Sequence, residues 1–196
     1  MIATTLYFEI MTKIVPQSRP AQSREKTLDI LRAHSVTDAV AVLGVRGYYD
    51  DTMGKPGKND RGIYDDAMFI VSPRFYLAVN ANTDPSRYGV NQKIGKGMAV
   101  LQAGVWRYKR GLHGVSRGNP YPAFVQARAV ELLRDGGERE RGFFAINIHK
   151  GSFNSTSSEG CQTVYPTQWD EFQQALYREL DYYKQATFPY LLIENA

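Results

Sequence analysis

The sequence predicts a mainly β domain of the α+β class, with a short N-terminal helix and a second helix near the C-terminus. Seventeen glycines and thirteen tyrosines favour a β-rich chain with many turns. Its 196 residues, 43% of them hydrophobic, suit one domain large enough to bury a core. We therefore divide the chain into an N-terminal extension, residues 1–38, and a single domain, residues 39–196.

Two segments have helical periodicity. Residues 24–33 place Leu28 and Leu31 on one side and charges on the other, which predicts a short amphipathic helix. His34 follows it, where a cation meets the helix dipole favourably, so we expect a structural role for His34. The second helix is expected to begin at residues 166–167, with Thr167 and Asp170 forming a capping box. Its apolar residues recur at helical spacing and predict a core stripe: Trp169, Phe172, Leu176 and Leu180.

The remaining apolar segments predict strands separated by loops rich in glycine and proline. The segment 123–134 is also compatible with a helix, but the Asp-Gly pair that follows it favours a hairpin and a strand. The loop 111–122 carries His113 and Arg117. The predicted strands are 5–10, 39–48, 67–71, 75–80, 98–101, 105–109, 123–134, 143–149 and 187–193.

Charge and composition exclude several classes of protein. A net charge of +4 suits an anionic partner, but the basic residues are dispersed and form no block interleaved with aromatics, so we expect no nucleic acid partner. No stretch approaches the ~20 apolar residues of a membrane helix, and we expect no stable membrane insertion. The first residues lack the features of a signal peptide, and the single cysteine suits a reducing compartment. These features predict synthesis in the cytoplasm.

The most informative stretch is residues 143–163, FFAINIHKGSFNSTSSEGCQT. An alternating strand ends at His149, and a polar loop then leads to Ser158, Gly160 and Cys161. An imidazole is a common base for a thiol, and a glycine beside the cysteine lets backbone N–H groups approach an oxyanion. The stretch therefore predicts a cysteine nucleophile with its base.

This stretch resembles the signature of the L,D-transpeptidase (YkuD) catalytic domain, which acts on peptidoglycan stem peptides. Residues 67–82 and 97–108 are similar to its earlier strands, so the resemblance covers residues 39–172. It implies a YkuD-like β-sandwich or mixed sheet. It also implies that Cys161 is the nucleophile and His149 the base, that a carbonyl near Gly151 orients the imidazole, and that Ser158 stabilises the loop.

The chain departs from the family pattern directly after His149 and directly after Cys161. Lys150 follows His149 where glycine is common, and Gln162 and Thr163 follow the cysteine, where the family often has an arginine that holds a substrate carboxylate. We place Gln162 and Thr163 among the substrate-binding candidates. His113 and Arg117 join them, because the guanidinium of Arg117 can replace the missing carboxylate ligand.

These expectations define a peptidoglycan-acting cysteine enzyme that uses no cofactor and no metal and works as a monomer on stem peptides. The absent signal peptide favours a phage endolysin or a delivered effector that reaches the cell wall of the host periplasm after release or delivery. Two alternatives stay open. A zinc amidase would use Cys161, His149 and either His113 or His34 as ligands. A non-catalytic wall-binding or virion module would keep the fold without the chemistry.

Overall fold

The computed structural model describes residues 14–195, so the predicted strand 5–10 lies outside the described residues. Within that range the chain is mainly β with two α-helices, which confirms the predicted fold class. The helices are α1 (Arg24–Ala33) and α2 (Pro166–Tyr182). The strands are β1 (Ala41–Arg46), β2 (Asp66–Val71), β3 (Tyr76–Asn82), β4 (Val90–Asn91), β5 (Lys96–Gly97), β6 (Ala99–Leu101), β7 (Gly104–His113), β8 (Tyr121–Gln126), β9 (Val130–Arg134), β10 (Arg139–Gly142), β11 (Ile148–Lys150), β12 (Gln162–Val164) and β13 (Phe188–Glu194).

Eight strands form a mixed sheet that closes into a barrel, in the order β1-β13-β7-β8-β11-β12-β3-β2. The pairs β1/β13 and β11/β12 are parallel, and the other neighbours are antiparallel. Strands β6, β9 and β10 form a separate three-stranded sheet, and β4 pairs with β5. Closure leaves the barrel strands without a free edge.

The alternation of side chains along the strands produces two hydrophobic clusters. In β1, Val42 belongs to the larger cluster, whereas Leu43 and Val45 belong to the smaller one on the opposite face. The larger cluster also contains the apolar stripe of α2. The smaller cluster is covered by Leu31 and Leu28 of α1. The described part of the predicted N-terminal extension therefore packs directly on the barrel.

Helix α1 has the predicted bounds, and Ser23 caps it by accepting a hydrogen bond from the Lys26 N–H. Helix α2 begins where predicted, but the expected capping box is wrong. Tyr165 is the N-cap and makes no side-chain capping bond, because Pro166 itself occupies the first turn and places Thr167 inside the helix. All four residues of the predicted core stripe are buried: Trp169, Phe172, Leu176 and Leu180.

Three predicted boundaries near the centre of the sequence differ from the structure. The segment 123–134 divides between β8 and β9, and the strand expected at 143–149 is reduced to β11. His113 was expected in a loop but ends β7, because β7 and β8 stay paired as far as His113 and Tyr121. Gly111 permits this pairing, since a Cβ there would lie 2.6 Å from the Val125 side chain.

None of the helices among residues 14–195 has the length and apolar character needed to cross a membrane.

Replacement of Phe172 by alanine tests whether α2 is an integral part of the core. Phe172 is fully buried against Phe124 and Trp169, so the Phe172→Ala variant should lose about 3–5 kcal/mol of unfolding free energy in urea titrations. The exposed Gln174 on the same helix provides the matched control, Gln174→Ala, which should change stability by less than about 0.5 kcal/mol. Equal losses for the two variants would show that α2 does not pack as described.

Candidate active site

The candidate site lies at the ends of four consecutive barrel strands. His113 ends β7, Tyr121 begins β8, His149 is the middle residue of β11, and Cys161 directly precedes β12. The parallel register pairs Ile148 with Gln162, which brings the segments on either side of the polar loop together. The sheet therefore places Cys161 close to His149, the histidine predicted to act as its base.

His149 is held by its Nδ1 atom. Nδ1 lies 2.7 Å from the Lys150 carbonyl oxygen and 2.9 Å from the Tyr121 hydroxyl. A carbonyl can only accept, so Nδ1 carries the proton and the lone pair is on Nε2. Nε2 is buried and has no hydrogen-bond partner among the described residues. The orienting carbonyl belongs to Lys150, one residue before the predicted Gly151.

Cys161 is partly exposed, and its sulfur lies against the irregular segment that precedes β11. The Asn147 N–H donates to Sγ at 3.5 Å, and Sγ–H donates to the Ala145 carbonyl at 3.4 Å. Ala145 adopts φ of +54°, a conformation that costs a non-glycine residue of order 1–3 kcal/mol. The strained residue is therefore the one whose carbonyl accepts the hydrogen bond from the thiol.

Ser158 and Gly160 shape the loop that presents Cys161. Ser158 Oγ donates to the Cys161 carbonyl at 2.6 Å and accepts from the Gly160 N–H at 3.0 Å. Gly160 has φ of +140°, and a Cβ there would lie 2.6 Å from the Ala99 carbonyl oxygen. The loop therefore requires glycine at 160. The Gly160 N–H, predicted to face an oxyanion, is instead used to hold the loop.

His113 is the third member of the cluster. Its ring stacks on His149 with centroids 3.8 Å apart and an interplanar angle of 17°. The ligand atoms of His113, His149 and Cys161 all lie within 4.8 Å of one another. His34 is elsewhere, on the end of α1, with Nδ1 2.9 Å from the Ile30 carbonyl oxygen. Of the two histidines considered as a third zinc ligand, the structure brings His113 to the site.

The cluster opens into a groove of about 620 Å³. Arg117 lines this groove, and its guanidinium makes no hydrogen bond or ion pair with the described residues. The groove also has exposed apolar side chains, namely Ile94, Leu112 and Val115. A cationic group and an apolar rim thus lie on the approach to Cys161.

Besides Ser158 and Gly160, which shape the loop, three predicted site residues do not line this groove. Gln162 is buried, where its Nε2 donates to the Thr83 and Gly160 carbonyls and its Oε1 accepts from the Tyr190 hydroxyl. Thr163 is also buried, on the neighbouring strand position. Gly151 donates its N–H to the Val164 carbonyl at 2.9 Å and faces Tyr64. All three therefore have structural positions, and the substrate-binding prediction for Gln162 and Thr163 does not fit their burial.

Sequence reasoning missed Asn147 and Tyr121. Asn147 contacts both neighbours of His149: its N–H donates to Cys161 Sγ, and its side-chain Nδ2 lies 3.1 Å from His113 Nδ1. The two-residue spacing of Asn147 and His149 places them on one side of an extended chain, and this signal was available. Tyr121 had no such signal, because its contact with His149 depends on the β8/β11 pairing.

Burial keeps the thiol and the imidazole neutral. The Cys161 residue is partly exposed, but its sulfur is enclosed, and this raises the pKa of the thiol to about 11, opposed by the Asn147 N–H and assisted by the negative Glu159. Burial and the neighbouring His113 lower the pKa of His149 to about 3. The pKa of His113 is also lowered, by burial and by the positive Arg117. At neutral pH the resting site therefore holds a thiol and a neutral imidazole.

No family model, no curated protein and no solved structure matches this chain.

The pH dependence of thiol alkylation tests the neutral resting state. With a thiol pKa of about 11, the iodoacetamide rate constant for Cys161 should rise about tenfold per pH unit between pH 7 and 9, because only the thiolate reacts. Alkylation is measured by intact mass, with free glutathione as the control that levels off near its lower pKa. A plateau between pH 6 and 8 would instead reveal a thiolate–imidazolium pair.

Proposed function

We propose that this protein is a cysteine acyl-transfer enzyme of the L,D-transpeptidase type that acts on peptidoglycan stem peptides. The observation that carries the proposal is the His149 ring. Its Nδ1 proton is held by a backbone carbonyl, and its Nε2 has no hydrogen-bond partner among residues 14–195. The ring clusters with the Cys161 thiol at a groove, with ligand atoms within 4.8 Å of one another. This arrangement supplies a base, a nucleophile and access for a substrate.

In the first step, His149 Nε2 takes the thiol proton while the sulfur attacks a peptide carbonyl carbon. The carbonyl π bond breaks and its electron pair moves to oxygen, which becomes an oxyanion. We assign the Asn147 N–H, which already donates to Sγ, and the Cys161 N–H as the donors to this oxygen, since Ser158 occupies the Gly160 N–H. The oxyanion then collapses, the C–N bond breaks, and the imidazolium returns its proton to the leaving amine.

The second step releases the thioester. Water or an amine gives a proton to His149 Nε2 and attacks the thioester carbon. The C–S bond then breaks, and the imidazolium returns the proton to the departing sulfur, which restores the thiol. Water completes hydrolysis, whereas an amine completes transpeptidation. Because the pKa of His149 is lowered, the ring is a neutral base throughout the neutral pH range. Its low basicity requires proton transfer to accompany attack rather than precede it.

The groove suits a peptide with a free carboxylate. Arg117 lies in the groove that contains Cys161, and its guanidinium has no partner within residues 14–195. A guanidinium binds a carboxylate through two parallel hydrogen bonds. Leu112 and Val115 offer apolar contacts beside it. Stem peptides carry both carboxylates and small apolar side chains, so cleavage of stem peptides or of their cross-links is the favoured activity. Use as an endolysin or a delivered effector stays a prediction.

Purified sacculi provide the test of the reaction. Wild-type protein should change the muropeptide pattern seen by mass spectrometry, whereas Cys161→Ala and His149→Ala should lower the rate by at least about 1,000-fold. His34 provides a matched control, and His34→Ala should keep full activity because His34 contacts Ile30 at the end of α1 and does not line the groove. Full activity in Cys161→Ala would end the proposal. Tight binding to sacculi with no mass change in wild type would favour the non-catalytic module.

Arg117 should contribute to substrate binding rather than to proton transfer. In Arg117→Ala, we expect KM to rise about tenfold or more with kcat little changed, because a carboxylate loses its charged partner in both ground and transition states. Arg128 is an exposed arginine outside the groove, so Arg128→Ala is the control with matched charge loss. Identical KM values for the two variants would remove Arg117 from the substrate site.

A further inference from the structure

The cluster of His113, His149 and Cys161 has a second chemical property, which does not depend on a peptide substrate. Two imidazoles and one thiol are the donors preferred by zinc, and their ligand atoms lie within 4.8 Å of one another. We propose that these three side chains form a Zn²⁺ site and that bound zinc masks the Cys161 nucleophile.

An independent observation supports a ligand at this position. His149 Nε2 is a buried polar atom without a partner among the described residues, in a residue that is 2% exposed. Buried polar atoms nearly always have a hydrogen-bond partner or a bound ion, so the Nε2 lone pair indicates a site for a hydrogen-bond donor or a cation. The sulfur of Cys161, directly before β12, and the ring of His113, at the end of β7, complete a set of three protein ligands.

The outer contacts of the cluster also suit a metal site. Ligating histidines usually hold their second nitrogen against a carbonyl or carboxylate. The Lys150 carbonyl does this for His149, and the Asn147 side-chain amide contacts His113 Nδ1 at 3.1 Å. With its amide oxygen turned toward His113, Asn147 would accept a hydrogen bond from Nδ1–H and leave Nε2 of that ring for the metal. Both rings would then bind through Nε2.

Metal binding requires a small closure. Tetrahedral zinc with bonds of about 2.0–2.3 Å places its ligand atoms roughly 3.4–3.6 Å apart, so the cluster must contract. The stacked rings must also tilt, because parallel rings direct their lone pairs side by side. His113 is the residue free to move, since it is partly exposed at the end of β7 and precedes Gly114, whose φ is +80°. The groove leaves the fourth position open to water.

Binding forms a Zn–S bond and releases the thiol proton to solvent, while both imidazoles contribute lone pairs. A zinc-bound thiolate shares its electron pair with the metal, and His149 Nε2 can no longer accept a proton. Inhibition of catalysis by zinc rests on the proposed function. Zinc binding and protection of the sulfur from other reagents depend only on the geometry of the cluster.

The experiment uses metal-free full-length protein titrated with ZnCl₂ in a calorimeter, and with CoCl₂ for its thiolate-to-metal absorption. We expect one zinc per chain in wild type and in the control His34→Ala. Cys161→Ala and His113→Ala should each weaken binding at least about 100-fold, since outer partners alone contribute 10–100-fold. Circular dichroism of each variant establishes that it is folded. Wild-type affinity in either ligand variant, or no stoichiometric binding in wild type, would overturn the site.

Iodoacetamide gives a readout that needs no enzymatic activity. One equivalent of zinc should slow Cys161 alkylation at least tenfold, EDTA should restore it, and Mg²⁺ should have no effect. Unchanged alkylation in zinc-loaded protein would overturn the masking.

In the sacculus assay, zinc should inhibit cleavage and EDTA should restore it. Activity that appears only with zinc would overturn both the masking and the cysteine mechanism, in favour of zinc-dependent hydrolysis. Protection of the thiol without any cleavage would leave the zinc site standing and remove the proposed function.

Discussion

The hydrogen bond between His149 Nδ1 and the Lys150 carbonyl determines what the site can do. It fixes the tautomer, and it thereby places the lone pair on Nε2, in a ring that clusters with the cysteine. A backbone carbonyl orients the ring without adding a negative charge, unlike the carboxylate of a catalytic triad. The Lys150 carbonyl also favours the protonated ring, but burial and the neighbouring His113 outweigh it and lower the pKa of His149 to about 3. Everything proposed for the site, acyl transfer and zinc binding alike, follows from a directed, neutral and weakly basic nitrogen.

The barrel explains how so short a strand can hold this geometry. Strand β11 has three residues, yet it lies between β8 and β12 in a closed sheet, so both of its sides are paired. Its parallel partner brings Cys161 beside Asn147, and its antiparallel partner brings Tyr121 to His149. Helix α2 follows β12 after Tyr165 and anchors that strand to the larger core. Rigid elements therefore hold the base, whereas the nucleophile ends a loop clamped by Ser158.

Local sequence patterns predicted the elements whose signals are local. Helix α1 and the start of α2 follow from apolar periodicity, and β2 and β3 follow from two apolar runs around a turn. The proximity of His149 and Cys161 was also predicted, from a strand, a polar loop and a glycine. The position of His113 was not, because a glycine at 111 indicates a loop unless the facing residue, Val125, is known to need the space. The burial of Gln162 likewise depends on Tyr190 from the last strand, 28 residues away in sequence.

Under the proposed function, the raised pKa of Cys161 gives the resting enzyme selectivity. A thiolate exposed in a groove reacts with oxidants and alkylating agents, whereas a protonated thiol is nearly inert. A substrate that occupies the groove excludes water and brings an electrophilic carbon to the sulfur, and it is at that point that transfer of the proton to His149 becomes useful. A metal ion needs neither a bound substrate nor proton transfer to His149, because a cation stabilises the thiolate directly. The feature that protects Cys161 from adventitious chemistry therefore leaves it open to zinc, and the stacked His113, which makes His149 a poorer base, is the residue that would complete the metal site.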